Sequence, residues 1–175
     1  MPRNSSIVKA ILVALALALV GPALAHAAAP DAATERQIRA NLAANPGSVR
    51  IGPNQIRLEP GLTMTLPGRD AAVAAKACNE KYFCIYEDVN FQRASLAMSA
   101  CKLYRLHNYR FKDKHGRPDR WDNEASSWIN HQVGGAVATL YSGPEGSGTW
   151  FRSSGPRDKN MGSKWNDNVE SVRPC

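Results

Sequence analysis

The chain has 175 residues, with 22 basic against 15 acidic side chains for a net charge of +7 at neutral pH, and four cysteines. That length fits one or two modest domains. The positive excess is moderate and dispersed, which speaks against a nucleic-acid binder and leaves anionic polymers or acidic protein surfaces as compatible partners.

Arg3 and Lys9 precede a short apolar run over 11–20, and small residues surround Ala25 and Ala27. This pattern predicts a secretory signal peptide over 1–27, cleaved after Ala25 or Ala27. Gly21 and Pro22 interrupt the apolar run before it reaches the ~20 residues of a spanning helix. The mature protein is therefore expected to be secreted, extracellular and monomeric, with neither membrane nor nucleic acid as a partner.

Residues 28–76 contain no cysteine and are expected to form a small leader or propeptide. Thr34 and Gln37 have capping-box spacing, Ile38 and Leu42 share a helical face, and Asn45-Pro46-Gly47 supplies a stop, so a short helix is expected. Around Pro60-Gly61, apolar and polar residues alternate, which predicts a β-hairpin with Ile56, Leu58, Leu62, Met64 and Leu66 on one face. Such a unit buries too little to stand alone. The alanine-rich stretch 69–77 reads as a linker or weak helix, and the main domain is placed at 77–175.

That domain repeats itself. Trp121-Asp122-Asn123-Glu124-Ala125-Ser126-Ser127 and Trp165-Asn166-Asp167-Asn168-Val169-Glu170-Ser171 share a tryptophan, two Asp/Asn residues, a spacer and a final serine. An aromatic strand precedes each, around Tyr86 and Tyr141. Tyr86 to Trp121 spans 35 positions and Tyr141 to Trp165 spans 24, so the first copy holds eleven extra residues. The basic segment 110–120, broken by Gly116 and Pro118, is the expected insertion and is read as an exposed loop. Short strands, frequent turn residues and the duplication together predict an all-β sandwich of two related motifs. The four tryptophans, Trp121, Trp128, Trp150 and Trp165, are read as core anchors.

Cys78, Cys84, Cys101 and Cys175 form an even set, which in an exported chain indicates two disulfides. Three pairings are open. The favoured one joins Cys78 to Cys84 in a small ring and Cys101 to Cys175 around both repeats. No cysteine or histidine cluster has zinc-ligand spacing. His107, His115 and His131 are dispersed, and neither His-Glu-x-x-His nor Gly-x-Ser-x-Gly occurs, so no enzyme chemistry is expected.

Tyr86-Glu87-Asp88-Val89-Asn90-Phe91 resembles the aromatic corner of a βγ-crystallin Greek key, and Asp122-Asn123-Glu124-Ala125-Ser126-Ser127 fits that superfamily's calcium-loop pattern. With the cysteines around Tyr82 to Glu87, the domain resembles the secreted actinobacterial peptidase inhibitor family numbered thirty-six, of the metallopeptidase-inhibitor type. The resemblance implies an all-β, βγ-crystallin-like sandwich of two Greek-key motifs after the helix-plus-hairpin leader. It also implies a secreted protein inhibitor of extracellular metallopeptidases, acting through a rigid disulfide-held loop, with a secreted metallopeptidase as protein partner. This sequence departs from the pattern at Arg93, where the first corner usually has glycine, at Gly146, where the second has an aromatic, and at Glu170, where the second loop has Ser or Thr.

The architecture so implied places the inhibitory segment between the two Greek keys, at Asn130, His131, Gln132, Val133, Gly134 and Gly135, with 110–120 as the second candidate. No cofactor is required. Calcium is the ion the loops suit, with oxygen donors expected from Asp122, Asn123, Glu124, Ser126, Asn166, Asp167 and the carbonyl of Glu87 or Ser142. Asp, Asn and Ser also cap their own backbone in metal-free turns. The alternative function is a calcium-binding extracellular structural or cell-surface-binding module.

Overall fold

The computed structural model describes residues 32–67, 78–112, 118–153 and 155–175. The expected signal peptide over 1–27, the stretch 69–77 and the tip of the basic insertion at 113–117 lie outside the described residues. No described helix is long and apolar enough to cross a membrane.

The leader begins with helix α1, Ala32–Ala44. Because the helix opens two residues before Thr34, that threonine lies buried in the first turn instead of capping it. Ile38 is buried and Leu42 packs against the same core. A short strand and a hairpin follow as β1 (Val49–Arg50) and the pair β2 (Gln55–Glu59) and β3 (Leu62–Thr65). Gly61 turns the hairpin at φ +80°, and a Cβ there would meet Ala100 Cβ at 2.9 Å, so glycine is required for shape and for space. Ile56, Leu62, Met64 and Leu66 are buried, as the alternation predicts.

The strands of the first repeat are β4 (Phe83–Asp88), β5 (Gln92–Met98), β6 (Tyr104–Arg105) and β9 (Ser127–Asn130); those of the second are β10 (Thr139–Tyr141), β11 (Trp150–Arg152), β12 (Arg157–Asp158) and β13 (Ser171–Arg173). One sheet runs β1-β2-β3-β5-β4-β9-β12 and the other β11-β10-β13-β6. Each repeat thus sends its third strand to the other's sheet: β6 pairs with β13, and β12 with β9. Two Greek keys that exchange their third strands make the βγ-crystallin-type sandwich. Between the sheets lie Phe83, Ile85, Leu96, Tyr104, Trp121, Leu140 and Val172, all essentially inaccessible.

The leader hairpin continues this sandwich, with β3 registered on β5 from Leu62↔Met98 to Thr65↔Ser95. Tyr109 Oη donates to Glu59 Oε1 at 2.6 Å, and Lys102 Nζ lies 2.9 Å from the same carboxylate oxygen. Burial first, then the Glu59 carboxylate, pushes the Tyr109 phenol far above its usual range, so it stays a donor.

The basic insertion differs from the exposed loop expected of it. Its ends form a hairpin of β7 (Arg110–Lys112) and β8 (Pro118–Arg120), and Phe111 between them is buried and stacked on Trp121 with ring centroids 4.7 Å apart. One aromatic among cations is enough to dock the segment. Asn45 at the end of α1 holds Arg110 by both backbone groups: its Nδ2 donates to Arg110 O at 2.8 Å and its Oδ1 accepts from Arg110 N at 2.9 Å.

Two disulfides join Cys78 to Cys84 and Cys101 to Cys175, leaving no free cysteine. The tryptophans divide. Trp121 is fully buried, Trp128 is nearly so, and Trp165 packs on Phe151 at 4.6 Å, but Trp150 is 58% exposed and is not a core anchor. In β11 the inward position is taken by Phe151, so Trp150 shares the outward phase with Arg152.

Candidate functional site

The two repeated loops meet at one end of the sandwich, and their last serine builds the corner of each Greek key. Ser127 Oγ accepts from Phe91 N at 3.1 Å and donates to Asp88 O at 2.7 Å. Ser171 Oγ accepts from Gly146 N at 3.0 Å and donates to Gly143 O at 2.8 Å. The corners differ where the sequence departs from the pattern. Phe91 packs edge-on against Tyr86 at 5.6 Å, whereas Gly146 leaves Tyr141 without such a partner in the second corner. Arg93 adopts φ +64°, a conformation that favours glycine, and is held by Asp88 at 3.3 Å.

The second Asp/Asn of each loop is also left-handed, Asn123 at φ +63° and Asp167 at φ +53°. Each directs its amide to the opposite loop: Asn123 N donates to Val169 O at 2.8 Å and Asp167 N to Ala125 O at 3.1 Å. The loops are thereby crossed, and the ligand candidates sort across the two repeats. Ser126 Oγ lies 3.1 Å from Glu87 O and 3.1 Å from Asp167 Oδ1. The carboxylate brought to Ser126 therefore comes from the second loop, not from Asp122 beside it in sequence.

One hydroxyl has one hydrogen, yet it faces two acceptors here. The oxygen surplus, with one carboxylate and one carbonyl, is the donor set a hard cation takes. Asn166 Nδ2 donates to Asp167 Oδ2 at 3.0 Å and steadies that carboxylate. The Glu87 side chain points elsewhere, buried and accepting from Ala94 N at 3.3 Å, so only its carbonyl belongs to this group. Asp122, Asn123 and Glu124 are half-buried on the first turn. In the second repeat the equivalent of Ser126 is Glu170, whose amide donates to Tyr141 O at 2.9 Å as Ser126 N does to Tyr86 O. Among the described residues no three His, Cys, Asp or Glu side chains cluster as metal ligands, so a cation at Ser126 would rest on mixed oxygen donors.

The segment between the Greek keys is braced from within. Asn130 Nδ2 donates to Ala136 O at 2.8 Å and Ser153 Oγ at 3.2 Å, while its Oδ1 accepts from Gln132 N at 3.1 Å. His131 extends the β4 pairing: its N donates to Tyr82 O at 3.0 Å and its O accepts from Lys81 N at 2.9 Å. Its Nδ1 lies 2.6 Å from Cys78 O, and because a carbonyl only accepts, Nδ1 carries the proton. Gly134 and Gly135 turn at φ +71° and +72°, and Val133 at the tip is 64% exposed. The bracing role of Ser153, which also accepts from Ala138 N at 2.9 Å, has no counterpart in any sequence motif.

No curated protein matches the chain. Among solved structures it is similar to a βγ-crystallin domain from Clostridium beijerinckii, at 22% identity over 53% of this chain and 95% of that one, with a TM-score of 0.41. A βγ-crystallin domain from Flavobacterium johnsoniae gives 22% identity, 52% and 90% coverage and a TM-score of 0.40. The N-terminal domain of protein S gives 17% identity, 53% and 92% coverage and 0.39. Residues 71–153 match the model of peptidase inhibitor family I36. That match spans the first Greek key, the braced segment and the first two strands of the second, so this part of the chain is similar to peptidase inhibitor family I36.

Proposed function

We propose that the protein is a secreted inhibitor of extracellular metallopeptidases and that 130–135 is the segment it presents to the peptidase. The observation that carries this reading is the Asn130 side chain, which bonds to backbone on both sides of an exposed tip. A loop held this way enters a cleft with its ordering entropy already spent, and it resists the separation of ends that turnover by the peptidase requires. The Cys78–Cys84 disulfide lies behind the segment through the His131 contact to Cys78 O. Both disulfides suit an oxidising, extracytoplasmic setting. The metallopeptidase class is supported by the resemblance of the cysteine and corner pattern to inhibitors of that type.

A second reading is favoured by the oxygen surplus at Ser126. Calcium held by Ser126 Oγ, Glu87 O and Asp167 would neutralise the facing acceptors and lock the crossed loops, making the domain a calcium-stabilised cell-surface or structural module.

Incubation of the purified protein with thermolysin as a zinc peptidase, alongside subtilisin and trypsin, tests the first reading. Stoichiometric loss of the zinc peptidase activity alone is expected. Inhibition of serine peptidases instead moves the class, and inhibition of none leaves the second reading.

A further inference from the structure

A six-residue loop is a small part of a stable inhibitor interface, which usually engages about 20–30 residues a side. The remainder has to come from surface contiguous with the loop. Asn130 Nδ2 bonds the buried Ser153 Oγ, and Ser153 directly follows β11, so the brace ties the loop to the end of that strand.

That face is unusual for this molecule. Tyr141 pairs with Trp150 and Thr139 with both Arg152 and Arg173, so aromatic and guanidinium groups alternate outward while Leu140, Phe151 and Val172 point in. A shallow cavity of about 110 Å³ lies between Thr139, Tyr141, Trp150 and Arg152. The Arg152 guanidinium lies 5.7 Å from the Trp150 ring, on a side chain that remains exposed. Val137 is 41% exposed, while the adjoining Ala138 is fully buried, which continues the alternation of β10 towards Val133. The large exposed apolar side chains outside the leader, among the described residues, are Val133 at the loop tip, Val137 between the loop and β10, and Trp150 opposite Tyr141 on β11.

We infer that this outward face of the second sheet is an exosite for the inhibited peptidase, with Trp150 as the buried anchor of the complex and Arg152 and Arg173 facing acidic groups on the rim of the cleft. Tryptophan, tyrosine and arginine are the residue types that dominate interface energetics, because they bury large rigid area while still making polar contacts. Trp150 stands three residues from Ser153, about 10 Å along the strand whose end the loop brace reaches. Of the cations nearby, Arg105 is paired with Glu145, while Arg152 and Arg173 form no ion pair among the described residues. Positive charge therefore remains for an acidic partner. The inference rests on the inhibitor reading above.

The test measures association and dissociation rates against the peptidase that the unmodified protein inhibits in the panel. Trp150→Ala is expected to weaken inhibition more than tenfold, mainly through faster dissociation, with an unchanged melting temperature because the side chain is exposed. Arg152→Glu with Arg173→Glu is expected to slow association and flatten its salt dependence; this pair decides if Trp150→Ala lowers the melting temperature. Inhibition within twofold of the unmodified protein in both variants overturns the exosite and leaves the inhibitor reading standing. Trp150-dependent retention on polygalacturonate with inhibition unchanged also overturns it and gives the face to an anionic glycan. If the unmodified protein inhibits no peptidase, the inhibitor reading falls and takes the exosite with it.

Discussion

The Ser126 hydroxyl sits 3.1 Å from Asp167 Oδ1, linking residues 41 positions apart that belong to different repeats. The pair shows that each loop is completed by the other. If calcium occupies this group, the carboxylate it would use is that of Asp167. Asp167→Ala is expected to abolish any calcium-induced rise in melting temperature, while Asp122→Ala retains most of it. Titration into the millimolar range typical of extracellular modules checks this. At ten times the dissociation constant the bound ion adds about 1.4 kcal/mol. A full shift in Asp167→Ala would place the ion elsewhere.

The two corner serines are equivalent, so their loss should be too. Ser127→Ala and Ser171→Ala each remove a buried hydroxyl that satisfies one backbone N–H and one carbonyl. Each is expected to cost about 2 kcal/mol. Urea unfolding of the two variants should give midpoint shifts of similar size; a near-neutral Ser171→Ala would mean that the second corner, which lacks its aromatic, does not depend on the tie.

Removing the brace separates inhibition from folding. Asn130→Ala is expected to lower stability by only about 1–2 kcal/mol, yet to convert the inhibitor into a slowly cleaved substrate. Replacing His131, Gln132 and Val133 together should weaken inhibition well beyond tenfold if these residues are central to the interface. Time-resolved inhibition with mass spectrometry of the products reads both effects. An intact, fully inhibitory Asn130→Ala variant would remove the segment from the mechanism.

The basic hairpin should respond in two distinct ways. Phe111→Ala opens a cavity against Trp121 and is expected to cost about 3–5 kcal/mol in thermal or urea unfolding. Charge reversal at exposed Arg110 and Arg120 should leave the unfolding midpoint within about 0.5 kcal/mol and act on the association rate with a peptidase. Collapse of inhibition after that charge reversal would move the inhibitory site from 130–135 to this hairpin.

Much of the architecture was legible because the sequence states it twice. The tryptophan-led loops, the aromatic strands and the period-two hairpin around Pro60-Gly61 each reflect local chemistry, and a duplicated pattern doubles the signal. What escaped was nonlocal. Nothing near Ser126 in sequence points to Asp167, since the crossing depends on two left-handed turns and on strands exchanged between sheets. The basic insertion reads as solvent-exposed by composition because its docking hangs on a single phenylalanine. Trp150 escaped because size alone suggests a core residue, although the alternation Trp150-Phe151-Arg152 gives its outward phase. The placement of Asn45 against Arg110 had no signal at all, as both partners are backbone groups of a segment 65 residues away.

The seating of β3 on β5 has a meaning beyond packing. A strand of seven residues, Gln92–Met98, would otherwise offer an open row of backbone donors and acceptors at the margin of the sheet, and such rows recruit strands from other molecules. The leader hairpin fills that position within the same chain. A proteolytic cut that released the leader would therefore do more than shorten the protein: it would uncover a template for strand addition, so a domain trimmed to its cysteine-bearing part would be expected to self-associate more readily than the longer chain.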